Sequence, residues 1–135
     1  VKWWVASVAL LGMLACRDPY SYQPSDPTRP DPPAPPVLIC PANGWVSGDF
    51  TYPQEVSLSW EAVPGAQFYE FQVTHDSLFQ SIYIPPGPHI YETSVAESIR
   101  LFGLYYWRVR AASRNWNNYT DWSLPFRFTL PNPGR

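Results

Sequence analysis

The chain has 135 residues and a formal net charge of −2 at pH 7; only 15% of it is charged, while 45% is hydrophobic and 17% aromatic. That length holds one domain, and a chain so rich in aromatics can bury a core, which argues against disorder along its whole length. The nine basic residues are scattered and outnumbered by eleven acidic ones, which argues against a nucleic-acid module, since that needs a basic stripe to neutralise phosphates.

Residues 1–15 read VKWWVASVALLGMLA. The single positive charge of Lys2 is followed by an unbroken run of apolar and small residues. The run is shorter than the roughly 20 residues that span a bilayer. A charged start, a short apolar run and small residues before a cleavage point form the pattern of an export signal. The run closes on Met13, Leu14, Ala15 and Cys16, which resembles the lipobox of bacterial lipoproteins, with Met13 standing where leucine is usual. The resemblance implies cleavage after Ala15 and lipidation of Cys16, whose thiol can carry a thioether-linked lipid. Each buried CH₂ of such a lipid adds about 0.8 kcal/mol of membrane affinity, so several acyl chains anchor firmly. An ordinary cleaved signal with a chance cysteine is the alternative, and it leaves a Cys16–Cys40 disulfide arithmetically open. Arg17, not aspartate, follows Cys16. For a lipoprotein of the cell envelope this implies the outer membrane in preference to the inner.

Residues 16–36 are expected to form a disordered tether. From position 17 they read RDPYSYQPSDPTRPDPPAPP, with prolines at 19, 24, 27, 30, 32, 33, 35 and 36. Proline fixes φ and donates no N–H, which excludes helix and central strand. An extended polyproline-II-like chain is what remains, and twenty such residues at about 3.1 Å each reach roughly 60 Å. A role as a proline-rich ligand is the alternative.

From Val37 the pattern changes to strand-like runs, and a single all-β domain is expected over 37–131 with a tail at 132–135. Val56, Leu58 and Trp60 alternate with serines. Tyr69, Phe71 and Val73 share one face of the next run. In the clearest run Tyr105, Trp107, Val109 and Ala111 face one way, with Tyr106, Arg108 and Arg110 the other; Phe126, Phe128 and Leu130 alternate near the end. Short strands of period two, broken by Pro64-Gly65 and by the proline cluster at 85–88, give a sandwich or barrel.

The strings LSWEAVPGAQFYEFQVTHDSLF at 58–79, YYWRVRA at 105–111 and DWSLPFRFT at 121–129 together resemble bacterial fibronectin type III domains. The resemblance covers roughly 35–131 and implies an immunoglobulin-like antiparallel sandwich of seven strands in two sheets. It assigns structural core roles to Trp60, Tyr69, Tyr105, Trp107 and Trp122. Tyr105 takes the corner position, where a buried ring sends its hydroxyl back to the main chain. The middle strands between 81 and 99 are not placed by it. Cys40 is expected to be reduced and partly buried at the end of the first strand.

Chemistry-bearing patterns are sparse. His75 and Asp76 are adjacent, but neighbouring strand residues point to opposite faces. Asp76 is expected to cap a turn. His89 sits alone, and two separated histidines lack metal-ligand spacing. No metal, cofactor or catalytic residue is assigned. The most suggestive stretch is Asn115 to Tyr119, where Trp116, Asn117, Asn118 and Tyr119 are the candidate binding residues. Aromatics beside amides can anchor a protein partner or stack on a polysaccharide; Trp116 can also fold back over the core. A second aromatic patch is expected from Trp45, Phe50 and Tyr52. Together these features point to a membrane-anchored extracytoplasmic binding, adhesion or spacer module with a protein partner. Carbohydrate binding through the aromatic loop and a small envelope hydrolase are the alternatives.

Overall fold

The computed structural model describes residues 26–84 and 89–134. The expected signal segment, Cys16 and the first part of the tether lie outside the described residues, as do 85–88. Seven strands follow in chain order: β1 (Leu38–Cys40), β2 (Trp45–Val46), β3 (Gln54–Trp60), β4 (Phe68–Thr74), β5 (Ser94–Ile99), β6 (Gly103–Ala112) and β7 (Phe126–Leu130). They form a three-stranded sheet of order β1-β3-β5 and a four-stranded sheet of order β2-β7-β6-β4. All pairings are antiparallel except β2 on β7. Of the sandwich or barrel that the alternating runs allow, this is the sandwich, as the resemblance implies.

The middle strands, which the sequence pattern leaves open, fall into place through pairing. β5 lies along the whole of β3, from Gln54 opposite Ile99 to Ser59 opposite Ser94. The preceding stretch makes isolated bridges to β4, Ile84 to Val73 and Ile90 to Tyr69. β4 is therefore not a bare edge there, which matters because unpaired edges invite pairing with other chains.

Period-two patterning sends one side of each sheet inward. Trp60, Leu58, Val73, Ile99, Tyr105, Trp107, Val109, Phe128 and Leu130 are all essentially buried. Full burial of each large side chain contributes about 1.5–3 kcal/mol. Trp60 meets Tyr69 edge-on at 5.5 Å between ring centres, and Tyr105 stacks on Phe128 at 5.3 Å. The indole N–H groups of Trp60 and Trp107 have no acceptor among the described residues.

Two tyrosine hydroxyls fasten the connections. Tyr105 donates to the carbonyl of Leu101 at 2.6 Å, which is the corner geometry the resemblance implies. Burial pushes its phenol well above the ordinary range. The Tyr69 hydroxyl accepts the Val63 N–H at 3.0 Å, closing the turn in which Gly65 has φ of +81°. That left-handed conformation favours glycine.

The register defines two poles. Leu38 pairs with Trp60 and Phe68 with Ala112, so the chain arrives beside the connections 61–67 and 113–125. This is the linker pole. At the far pole lie 47–53, 75–82 and 100–102, together with the end of β7, where Leu130 pairs with Gly103.

Contacts with the sandwich extend upstream of Val37: Pro36 is buried, and main-chain and side-chain atoms of Pro30 and Asp31 are bound to the sandwich. One expectation changes here. Cys40 is exposed, not partly buried. The pairing register shifts between Leu38 and Cys40, so the strand no longer directs alternate side chains inward as the pattern requires.

Candidate functional site

The 113–125 connection holds the predicted binding residues. Two hydroxyls shape it. Thr120 Oγ1 accepts the N–H of Ala111 and Ser123 Oγ accepts that of Val109, each at 3.0 Å. The N–H groups of Thr120 and Ser123 in turn donate to the carbonyls of Ala111 and Val109. The segment thus follows β6 as an irregular strand in which side-chain oxygens replace main-chain acceptors. Both side chains are buried, so these bonds are shielded from water and decisive for the local path.

That path separates the four candidates. Trp116 is 7% exposed and belongs to the core, with its ring against Gly65. Of the placements open to it, it takes the one folded over the end of the core, because the linker pole needs an apolar lid. Asn117 turns to the linker and binds Pro30 and Asp31. Asn118 is exposed, and its side-chain oxygen accepts the N–H of Tyr119. Tyr119 lies flat over the Arg110 guanidinium at 3.7 Å. The four do not converge on a single outward surface.

Trp122 also departs from expectation. It is half-buried on the outer face of the four-stranded sheet, not in the core. Two cations lie against its ring, Arg108 at 4.4 Å and Arg110 at 4.6 Å. Arg108 also lies over the Phe79 ring at 4.1 Å. The contacts thus run from Phe79 through Arg108, Trp122 and Arg110 to Tyr119. The strand below steadies both cations. Gln72 accepts from Arg108 at 2.8 Å, and Glu70 accepts two bonds from Arg110 at 2.9 and 2.7 Å. Burial, and then the neighbouring Arg110, lower the pKa of Arg108. Arg110 is thus paired across the ladder with a glutamate, and the aromatic partners of the two cations are Phe79, Trp122 and Tyr119.

His75 and Asp76 are each committed elsewhere. His75 Nδ1 meets the Leu104 carbonyl at 2.9 Å and its ring lies 4.1 Å from that of Tyr105. The Asp76 carboxylate accepts the N–H groups of Leu78 and Gln80, both at 2.9 Å. Those bonds hold its pKa below the usual carboxylate value. Asp76 thus caps its turn as expected. His89 stacks on Phe68 at 3.9 Å. Among the described residues no three metal-ligating side chains come together.

The outstanding exposed apolar group lies at the far pole. Leu101 is 54% exposed and Phe102 50%. Leu104 stands on the outer face opposite Thr129, which neighbours Val46. Phe50 and Leu78 project from the other two connections at that pole. In the sequence the signal is the string LFGL at 101–104, which places apolar residues just outside the clean alternation of β6. Of the expected second aromatic patch, Tyr52 is tied by its hydroxyl to the Pro131 carbonyl at 2.6 Å, while Trp45 and Phe50 remain exposed.

No protein-family model matches the sequence, and no curated protein matches it. Solved structures do. A fibronectin type III-like protein from Clostridium thermocellum aligns over 76% of this chain and 97% of its own, with 23% identity and a TM-score of 0.51. The fibronectin type III domain of the human fibronectin type III domain containing protein 3 covers 82% of this chain and 94% of its own, at 17% identity and a TM-score of 0.47. With the three-plus-four strand arrangement, the likeness establishes the fold: residues from β1 to β7 form a fibronectin type III-like sandwich.

Proposed function

We propose that this chain is an exported, lipid-anchored interaction module that presents its far pole to a protein partner in the cell envelope or beyond it. The observation that carries the reading is the cluster of exposed Phe50, Leu101, Phe102 and Leu104 at the pole opposite the linker. Scattered exposed apolar residues are ordinary, but a group of them at one end marks an interaction surface. The motif ending at Cys16 supports a membrane anchor through an N-terminal lipid, with the outer membrane favoured by Arg17. Polysaccharide binding through the aromatic loop gains no support from Trp116, whose ring is buried.

The test is photo-crosslinking in cells from an unnatural residue at position 102, with position 57 on the opposite sheet as the control. A discrete protein adduct from 102 and none from 57 is the expected outcome. Equal labelling from both positions would remove the far pole as the contact surface. Metabolic labelling with a fatty-acid analogue tests the anchor separately: incorporation is expected, and is lost in Cys16→Ser.

A further inference from the structure

The linker is gripped by the connection that closes the four-stranded sheet. Asn117 donates its backbone N–H to the Pro30 carbonyl at 2.9 Å and its side-chain amide to Asp31 Oδ1 at 2.5 Å. The side-chain contact bridges residues 86 apart in sequence. One bond would leave an extended segment free to swing. Two donors on a single residue, one from main chain and one from side chain, fix its position and its direction. The segment is also held downstream, where Pro36 is buried and the Val37 carbonyl accepts the Glu61 N–H at 2.8 Å. Upstream, Asp26 accepts from Thr28 and pairs with Arg29 at 3.3 Å, which closes a turn just before the grip.

The composition suits such docking. Pro30, Pro32 and Pro33 already have φ fixed, so ordering them loses less backbone freedom than ordering an ordinary chain. Proline carries no N–H, so a receptor for this segment must supply donors, and Asn117 supplies two.

We infer that Asn117 is a latch, and that residues 30–36 move with the sandwich as one body, with the pivot ahead of Pro30. The latch also turns the far pole away from the point of attachment. That orienting consequence rests on the proposed function; the latch itself does not.

The experiment is amide exchange and ¹⁵N relaxation on the full chain in detergent micelles. Residue 117 should exchange well below its unstructured rate, and Asp31 should be as rigid as β1. Asp31→Ala and Asn117→Ala should each reduce protection at residue 117 by about 3- to 10-fold. The double variant should lose no more than either single change if the two groups act on each other. Asp31 is exposed and lies outside the core, so Asp31→Ala decides the matter even if the change at 117 disturbs the loop. An unprotected residue 117 in the unmodified chain, or unchanged protection in Asp31→Ala, overturns the latch. Loss of the far-pole crosslink with the latch intact would instead count against the proposed function.

Discussion

The two outer faces of the sandwich cover the same core and are built in opposite ways. On the three-stranded sheet the outward pairs are Ser57 with Ala96, Ser59 with Ser94 and Glu55 with Ser98. Apart from Glu55 these side chains are short, and they leave the strands to be held by their ladder and by the core. On the four-stranded sheet the outward arginines of β6 are stacked between aromatic rings brought in from two connections. Phe79 ties down the turn at the far pole, and Trp122 and Tyr119 tie down the path from the linker pole. Alternation decides which residues face outward; what arrives from the connections decides whether that face is bare or laminated.

Breaking the laminate should have the largest effect. Arg108→Ala removes a cation from between Phe79 and Trp122 and frees Gln72. A desolvated cation–π contact contributes about 0.5–2 kcal/mol and a hydrogen bond about 1, so a loss of about 2 kcal/mol is expected from the urea midpoint. Ser57→Ala, on the other face, should stay within about 0.5 kcal/mol. Equal losses would mean that the stack contributes nothing. A cycle pairing Arg108→Ala with Trp122→Ala should return a coupling of about 1 kcal/mol. Next in size is Tyr105→Phe, which keeps the buried ring and removes the hydroxyl that donates to Leu101. Losing that bond and the hydroxyl's contact with Tyr83 should cost about 1 kcal/mol or more, and faster proteolysis confined to the far pole would place the damage there.

Two smaller effects depend on pH. Backbone N–H groups hold Asp76 below its ordinary value. Its stabilisation is present above the unfolded pKa of about 3.9 and is lost as pH falls through the folded one. Asp76→Asn should therefore flatten the acid limb of the stability curve below about pH 4. Burial raises Glu97 on β5. A raised carboxylate has the opposite sign, and stability is lost as pH rises past the unfolded value of about 4.3. Glu97→Gln should raise the melting temperature slightly at pH 7 and leave it unchanged at pH 3.

Much of the fold is legible in the sequence because its signals are local. The alternation of β3 and β6 survives intact, and Tyr105 keeps both its burial and its hydroxyl bond. The failures are all non-local. Trp116 stays open between anchor and core lid because nothing in 115–119 reveals that Gly65, some fifty residues earlier, leaves an apolar end to be covered. Trp122 reads as core because its true partners, Arg108 and Arg110, come within reach only when hydroxyl bonds from Thr120 and Ser123 replace the regular ladder. Asn117 gives no local sign of binding the linker. β5 escapes notice because its outward Ser94, Ala96 and Ser98 dilute a weak inward pattern.

Pro131 sits where Tyr52 grips its carbonyl, beside the exposed Leu101 and Phe102 pole and away from the linker. An affinity handle or fluorescent reporter joined after Gly134 would emerge beside those side chains and shadow whatever approaches them. Probes that must leave both poles unobstructed belong on the serine-lined sheet, where Ser57 and Ser98 offer outward positions with short neighbours.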